Sequence, residues 1–167
     1  MIDRRFVLAT LAGLTSFGVL KWLGSSRAEA ATDKFEVDKT PEEWKRQLSP
    51  EQYYILREAG TERPFSSPLN HEKRKGTFAC AGCDLPLYSS DTKFDSGTGW
   101  PSFFQALPNA LVEKSDRSFM MVRTETLCHR CGGHLGHVFD DGPKPTGLRY
   151  CMNGLALSFK PADNTPS

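Results

Sequence analysis

No charge of one sign dominates this chain: 21 Lys and Arg face 20 Asp and Glu over 167 residues, a formal net charge of +1. So even a balance lacks the electrostatic footprint of a general nucleic-acid binder, and no nucleic-acid partner is expected. Long apolar runs are missing too. The main one covers residues 6–20 and is interrupted by Thr10, Gly13, Thr15, Ser16 and Gly18, whereas a spanning helix needs about 20 predominantly apolar residues. No extended amphipathic helix follows Leu56, which argues against a helical bundle, and nothing repeats except a pair of cysteine motifs. What is present suits one folded domain. Hydrophobic residues at 38% and charged residues at 25% exclude wholesale disorder. With 14 Gly and 11 Pro, turns should be frequent.

Residues 1–30 read as an export signal and are set apart from the fold. Asp3, Arg4 and Arg5 precede the apolar stretch, and Ala28 and Ala30 supply small residues where a signal peptidase reads. Arg4-Arg5 followed by Phe6-Val7-Leu8 resembles a twin-arginine signal, and the expected location is the periplasm. A general secretory signal and an uncleaved membrane anchor are the alternatives. Removing the segment takes away Arg4, Arg5, Lys21 and Arg27 against Asp3 and Glu29. That leaves 17 basic and 18 acidic residues, net −1 over 137 residues.

The remainder reads as a polar lead-in, 31–39, and a single domain, 40–167. Within it, 40–70 form a helical cover and a wrapping loop, 71–161 a β core and 162–167 a tail. Thr40-Pro41-Glu42-Glu43 and Ser49-Pro50-Glu51-Gln52 each carry a capping residue, a proline at the first helical position and an acid or amide three residues on. Trp44 and Leu48 share one face, and Tyr53, Leu56 and Arg57 follow at helical spacing. Pro64 and Pro68 make 60–70 a loop. Beyond His71 the segments shorten and enrich in Phe, Val and Thr. Residues 119–124 and 148–159 read as strands, with turns at 96–99 and 140–143. The expected fold is mainly β, antiparallel, with short N-terminal helices.

Five cysteines divide into four and one. Cys80-Ala81-Gly82-Cys83 and Cys128-His129-Arg130-Cys131 are two C-x-x-C pairs. Two such knuckles can form a tetrahedral four-cysteine site, the preferred geometry of structural zinc. Gly82 and Gly132 are read as the residues that allow the knuckle turns their unusual backbone angles. Redox-active dithiols and a disulfide framework remain the other readings of the same spacing. A closed four-thiolate shell has no open position, so the metal would staple the fold and do no chemistry. Oxidising compartments turn free thiols into disulfides, and a signal that exports folded protein would let the metal enter first.

Cys151 is left over, and a lone thiol is buried and inert, paired between chains, or reactive. Arg149, Cys151 and Asn153 alternate with Tyr150 and Met152. On a strand, i, i+2 and i+4 share a face, so a cation, a thiol and a carboxamide would lie on one surface. A nearby cation favours the thiolate. Upstream, His134 and His137 with Asp140 and Asp141 could supply a general acid and its orienting carboxylate. A second metal site and a plain surface role are the competing readings of the histidine pair.

Four stretches carry a family resemblance: residues 76–83 (Gly-Thr-Phe-Ala-Cys-Ala-Gly-Cys), 93–103 (Lys-Phe-Asp-Ser-Gly-Thr-Gly-Trp-Pro-Ser-Phe), 131–139 (Cys-Gly-Gly-His-Leu-Gly-His-Val-Phe) and 147–154 (Gly-Leu-Arg-Tyr-Cys-Met-Asn-Gly). In this order they resemble the B-type methionine sulfoxide reductases, which reduce the R epimer of methionine sulfoxide. The resemblance implies two antiparallel sheets with short N-terminal helices, stapled by one zinc ion on Cys80, Cys83, Cys128 and Cys131, with no organic cofactor. It implies that Cys151 is the nucleophile and passes through a sulfenic acid. His134 and His137 match paired histidines, one a proton donor. Arg149 and Asn153 match positions that stabilise the thiolate and shape the site, and Asp141 matches a carboxylate that orients imidazole. Trp100 matches the indole that receives the substrate's S-methyl group.

One departure matters. Many members carry a resolving cysteine where this chain has Thr98. The expectation is a one-cysteine variant, a monomer that repairs oxidised proteins or free methionine-R-sulfoxide. Its sulfenic acid would be reduced by an external thiol, a thioredoxin-like protein or glutathione. Met152 stands where Ile or Val is common. It is expected to face away from substrate and is itself a candidate for oxidation.

Overall fold

A computed structural model of the protein describes residues 35–117 and 121–162. The signal at 1–30, part of the lead-in, residues 118–120 and most of the tail lie outside the described residues. Two helices open the domain, α1 (Pro41–Gln47) and α2 (Pro50–Glu58). Both begin in reciprocal capping boxes. The Glu43 amide donates to Thr40 Oγ1 while the Thr40 amide donates to Glu43 Oε2, and Ser49 and Gln52 repeat the exchange. Each box satisfies two amides that a helix start otherwise leaves unpaired. The helices bury Trp44, Ile55 and Leu56, with Leu48 between them. Among the described residues no helix is long and apolar enough to cross a membrane.

Nine strands follow among the described residues: β1 (Gly76–Cys80), β2 (Pro86–Ser89), β3 (Lys93–Phe94), β4 (Ser102–Phe103), β5 (Leu111–Asp116), β6 (Arg123–Cys128), β7 (His134–Phe139), β8 (Arg149–Met152) and β9 (Leu157–Pro161). They form two sheets, ordered β2-β1-β9 and β3-β4-β8-β7-β6-β5, with antiparallel pairing throughout. Rings from both sheets meet in the core. Tyr88 of β2 stacks on Phe103 of β4 at 4.2 Å, and Phe78 of β1 meets Phe103 edge-on at 4.9 Å. Such pairs add to what burial of the rings already contributes.

Two strand expectations need correction. Of the strand expected over 119–124, residues 119 and 120 lie outside the described residues, 121 and 122 are not strand, and β6 starts at Arg123 and runs to Cys128. Met121 and Val122 stand 49% and 80% exposed before it. Pairing with β5 and β7 sets the strand, and propensity alone does not. The stretch 148–159 is two strands. A 3-10 turn, Gly154–Ala156, breaks it, and the chain passes from the larger sheet in β8 to the smaller sheet in β9. The alternation continues through Asn153, but Asn153 has become the N-cap of that turn.

Candidate active site

The four paired cysteines converge. Cys80 Sγ lies 3.8 Å from Cys131 Sγ, Cys83 Sγ lies 3.5 Å from Cys128 Sγ, and all four fall within 4.8 Å of one another. Four Zn–S bonds of about 2.3 Å span a tetrahedron with edges of about 3.8 Å, so the set fits a tetrahedral ion. A disulfide needs sulfurs about 2.05 Å apart, and all four cysteines are free. The knuckles are built alike. The amide of Asp84 donates to Cys80 O, and that of Gly132 to Cys128 O, each at 2.8 Å. Asp84 (φ 63°) and Gly132 (φ 66°) are left-handed. In the first knuckle this position therefore falls on Asp84, not on Gly82. The helices hold both knuckles, Gln47 Nε2 donating to Gly82 O and Arg57 Nη1 to Cys131 O.

Cys151 sits on β8, paired with His137 of β7 on one side and Ser102 of β4 on the other. Directly opposed residues in antiparallel strands share a face. The thiol therefore has an imidazole on one flank and a hydroxyl on the other. Gly136 permits the close approach of β7, since a Cβ there would lie 2.1 Å from Cys151 O. The histidines' spacing of three would put them on opposite faces of a regular strand. The register shifts here, with Thr126 opposite Gly136 and Leu127 opposite His134. This bulge turns both rings to the same side, 5.5 Å apart.

Carboxylates reach these rings from across the sheet. His134 Nδ1 contacts Glu125 Oε1 at 2.6 Å, and His137 Nε2 contacts Asp116 Oδ2 at 2.9 Å. The same Asp116 oxygen accepts from Arg123 Nη2 at 2.7 Å. Asp141, the expected orienting carboxylate, does another job: both its oxygens accept from Arg149, at 2.8 Å each. Arg149 also lies over the Phe139 ring at 4.4 Å. Asp116, Glu125 and Arg123 thus escaped the sequence reading, because their only signal is register across strands.

Cys151, His137, Trp100 and Asn153 line one pocket with Thr61, Arg123, Gly136 and Phe139, about 130 Å³ in volume. That is well below the several hundred Å³ of a typical drug-sized site, so it suits the end of a side chain. His134 and Arg149 stand behind this wall. Asn153 shapes it from within the fold, accepting from the Glu62 amide and donating to Leu135 O. Glu62 is a further residue that the sequence did not reveal. Its carbonyl accepts from Trp100 Nε1 at 3.2 Å, and its carboxylate accepts from the amides of Gly154 and Leu155 at 2.6 and 3.0 Å. Burial raises its pKa despite those two donors.

Burial also raises the Cys151 pKa, and the Thr98 hydroxyl and the Arg149 charge offset only part of that rise. Burial likewise lowers the His137 pKa, against the pull of Asp116. Each charge alone is penalised, but thiolate and imidazolium side by side would stabilise one another. Met152 points the other way. It is fully buried, and its sulfur accepts from Tyr88 Oη at 3.0 Å.

A half-buried thiol flanked by imidazole and hydroxyl therefore opens into a small indole-walled pocket on a β fold that gathers four further thiols. Residues 48–161 match the SelR domain family. The peptide methionine sulfoxide reductase MsrB of Pseudomonas putida (strain W619) is 57% identical over 129 residues, 77% of this chain and 97% of that protein. Proteins of the same name from Agrobacterium fabrum and Methanosarcina barkeri are each 58% identical, over 75% and 74% of this chain and 94% and 88% of theirs. The chain belongs to the B-type methionine sulfoxide reductase family. Among solved structures, the Mis18 Yippee-like domain aligns with a TM-score of 0.45 at 20% identity, over 55% of this chain and 100% of that one.

Proposed function

We propose that this protein reduces the R epimer of methionine sulfoxide to methionine, with Cys151 as nucleophile. The observation that carries the reading is Cys151 between His137 and Thr98 in a pocket walled by Trp100. The Cys151 sulfur attacks the sulfoxide sulfur and forms a transient S–S bond; that bond and the substrate S–O bond then break as the oxygen, with one proton, is transferred to Cys151. Methionine leaves reduced and Cys151 becomes a sulfenic acid, the reversible first stage of cysteine oxidation. The developing oxyanion needs a proton. His137 is placed to give it, with Asp116 holding its Nε2 side; His134, held by Glu125, supports it from behind. Trp100 supports a methyl group with a flat apolar surface. Methyl, oxygen and attacking thiol then each have a fixed side, which is the physical basis for accepting one hand of the sulfur.

The sulfenic acid is returned to thiol by two equivalents of an external thiol, releasing water and a disulfide. What supports this is that the side chain 3.8 Å from Cys151 Sγ is a threonine, Thr98, and that the other four cysteines lie together as the candidate metal set. A thioredoxin-like protein or glutathione is the reductant class, oxidised protein or free methionine sulfoxide the substrate. The metal is zinc: four thiolates in tetrahedral array are its preferred set. Cys80, Cys83, Cys128 and Cys131 would hold it, and it contributes rigidity only. The chain acts as a monomer, exported to the periplasm by residues 1–30 and repairing proteins there.

The test is turnover of separate R and S epimers of a peptide methionine sulfoxide by the metal-loaded protein, with dithiothreitol as reductant. Turnover of R alone, abolished in Cys151→Ser, is expected. Turnover that survives Cys151→Ser, or that favours S, refutes the reading. An intramolecular disulfide at Cys151 after one oxidising turnover would refute the one-cysteine cycle.

A further inference from the structure

Beside Cys151 runs a line of hydroxyl groups that the reaction above does not use. Thr98 Oγ1 lies 3.8 Å from Cys151 Sγ, within hydrogen-bond range for sulfur. Thr98 Oγ1 lies 2.8 Å from Ser96 Oγ, and Ser96 Oγ lies 2.7 Å from Ser102 Oγ. Ser102, fully buried on β4 opposite Cys151, reaches Trp100 O at 3.1 Å. A tight turn sets the line in place. Gly97 and Gly99 are left-handed at φ 70° and 93°, and the Gly97 amide donates to Asp95 Oδ1 at 2.9 Å.

Each hydroxyl has one proton to donate, so the line has two consistent orders. With Cys151 as a thiol, its S–H faces Thr98, Thr98 donates to Ser96, Ser96 to Ser102, and Ser102 to Trp100 O. With Cys151 as a thiolate, all three hydroxyls rotate. Ser102 then donates to Ser96, Ser96 to Thr98, and Thr98 to the sulfur. No covalent bond changes in the line, and the thiol proton itself leaves by the pocket side. A hydroxyl that can only donate to a charged acceptor favours the charged form.

We propose that Thr98 is a catalytic residue that donates a hydrogen bond to the Cys151 thiolate, and that Ser96 and Ser102 are positioning residues whose hydroxyls orient that donation. The Thr98 hydroxyl has two possible acceptors, Ser96 and the sulfur. Which it takes depends on the charge on Cys151, so the line follows the ionisation state of the nucleophile. This deepens the reading of Cys151 as nucleophile and rests on it.

The experiment is the rate of Cys151 alkylation by iodoacetamide against pH, read by mass spectrometry of the Cys151 peptide. It uses the metal-loaded full chain, with turnover measured in parallel. The charged and titratable groups around the thiol are Arg149 on its own strand, with Asp141 beyond it, His137 across on β7 and Arg123 on the pocket wall. The variants change none of them. In Thr98→Val, which keeps the shape and removes the hydroxyl, the midpoint should rise by about one pH unit, a tenfold fall in thiolate at fixed pH. Thr98→Ser should restore the parent midpoint, which a purely structural role would not predict. Ser96→Ala, which cuts the line but leaves Thr98, should give a smaller rise in the same direction. A parent-like midpoint in Thr98→Val overturns the role of Thr98. A parent-like midpoint in Ser96→Ala overturns the line. Turnover that persists in Cys151→Ser overturns the nucleophile reading beneath both, whatever the titration shows.

Discussion

Glu62→Ala should loosen the site without touching a reacting atom. The Glu62 carboxylate satisfies the amides of Gly154 and Leu155, which begin the 3-10 turn after Asn153. Removing it strips the buried Gly154 amide of its acceptor, while the Leu155 amide, on a residue 36% exposed, can turn to water. An unsatisfied buried donor costs about 1–3 kcal/mol, and the part-buried second one adds about 1 kcal/mol. Relief of the buried carboxylate, whose pKa is raised by burial, returns part of this, and the net falls at about 2 kcal/mol. For a domain of this size that lowers the melting temperature by about 5–10 °C. Glu62→Gln keeps one acceptor but turns an NH2 group toward a donor, so it should lose about half as much. Differential scanning calorimetry of the metal-loaded proteins measures this. In both variants kcat should fall while alkylation of Cys151 by a small reagent persists, because the carboxylate anchors the residue-62 backbone, whose amide and carbonyl hold Asn153 and Trp100, and the thiol makes no contact with that backbone amide or carbonyl. A Glu62→Ala protein melting within about 2 °C of the parent would mean that something else holds the turn and would refute the reasoning.

Metal extraction, or Cys128→Ser, should abolish the cooperative melt, because a structural zinc site contributes about 10–16 kcal/mol against a domain stability of about 5–15 kcal/mol. A stripped protein that melts like the parent would contradict this. The pH profile of kcat/KM should be a bell: the proposed mechanism uses thiolate with imidazolium, which carries the same net charge as thiol with neutral imidazole. Activity therefore falls in acid as His137 protonates beside a thiol, and in alkali as Cys151 ionises beside a neutral ring. His137→Gln should remove the alkaline fall and leave a single rise with pH at reduced rate; an unchanged bell would exclude His137 as donor. Under peroxide without reductant, Met121 should form sulfoxide well before Met152, because Met121 is half exposed while Met152 is sealed with Tyr88 on its sulfur. Equal rates by peptide mass spectrometry would show that the core opens.

What the sequence made legible was short in range. Thr40 and Ser49 announce their helices because capping chemistry acts over three residues. The C-x-x-C pairs announce a four-thiol cluster because each knuckle is local, and only the distance between the knuckles is tertiary. Cys151 stood out by its neighbours. Missed were groups that meet only through strand register. Asp116 reaches His137 from β5, 21 residues earlier in the chain, and Glu125 reaches His134 from β6, nine residues earlier. Asp141, four residues after His137, was the expected partner, but the β7–β8 connection turns it toward Arg149. The break in 148–159 was hidden because polar–apolar alternation runs on past the point where pairing changes sheets. Gly82 misled because glycine tolerates left-handed backbone, yet the turn placed that demand on Asp84.

The passage of the chain from β8 to β9 has a consequence for biosynthesis. β1 carries Cys80 at its end, and β9 closes one of its two edges, with Leu157 paired directly to Cys80. As the protein leaves the ribosome, β1 and β2 emerge early, and all four cysteines of the cluster have emerged once residue 131 is out. The strand that covers the first of them comes only with residues 157–161. A nascent chain can therefore gather its thiols before the strand that walls in the first of them has emerged. The interval between the two is when a wrong metal, or an oxidant, has its best access to the staple.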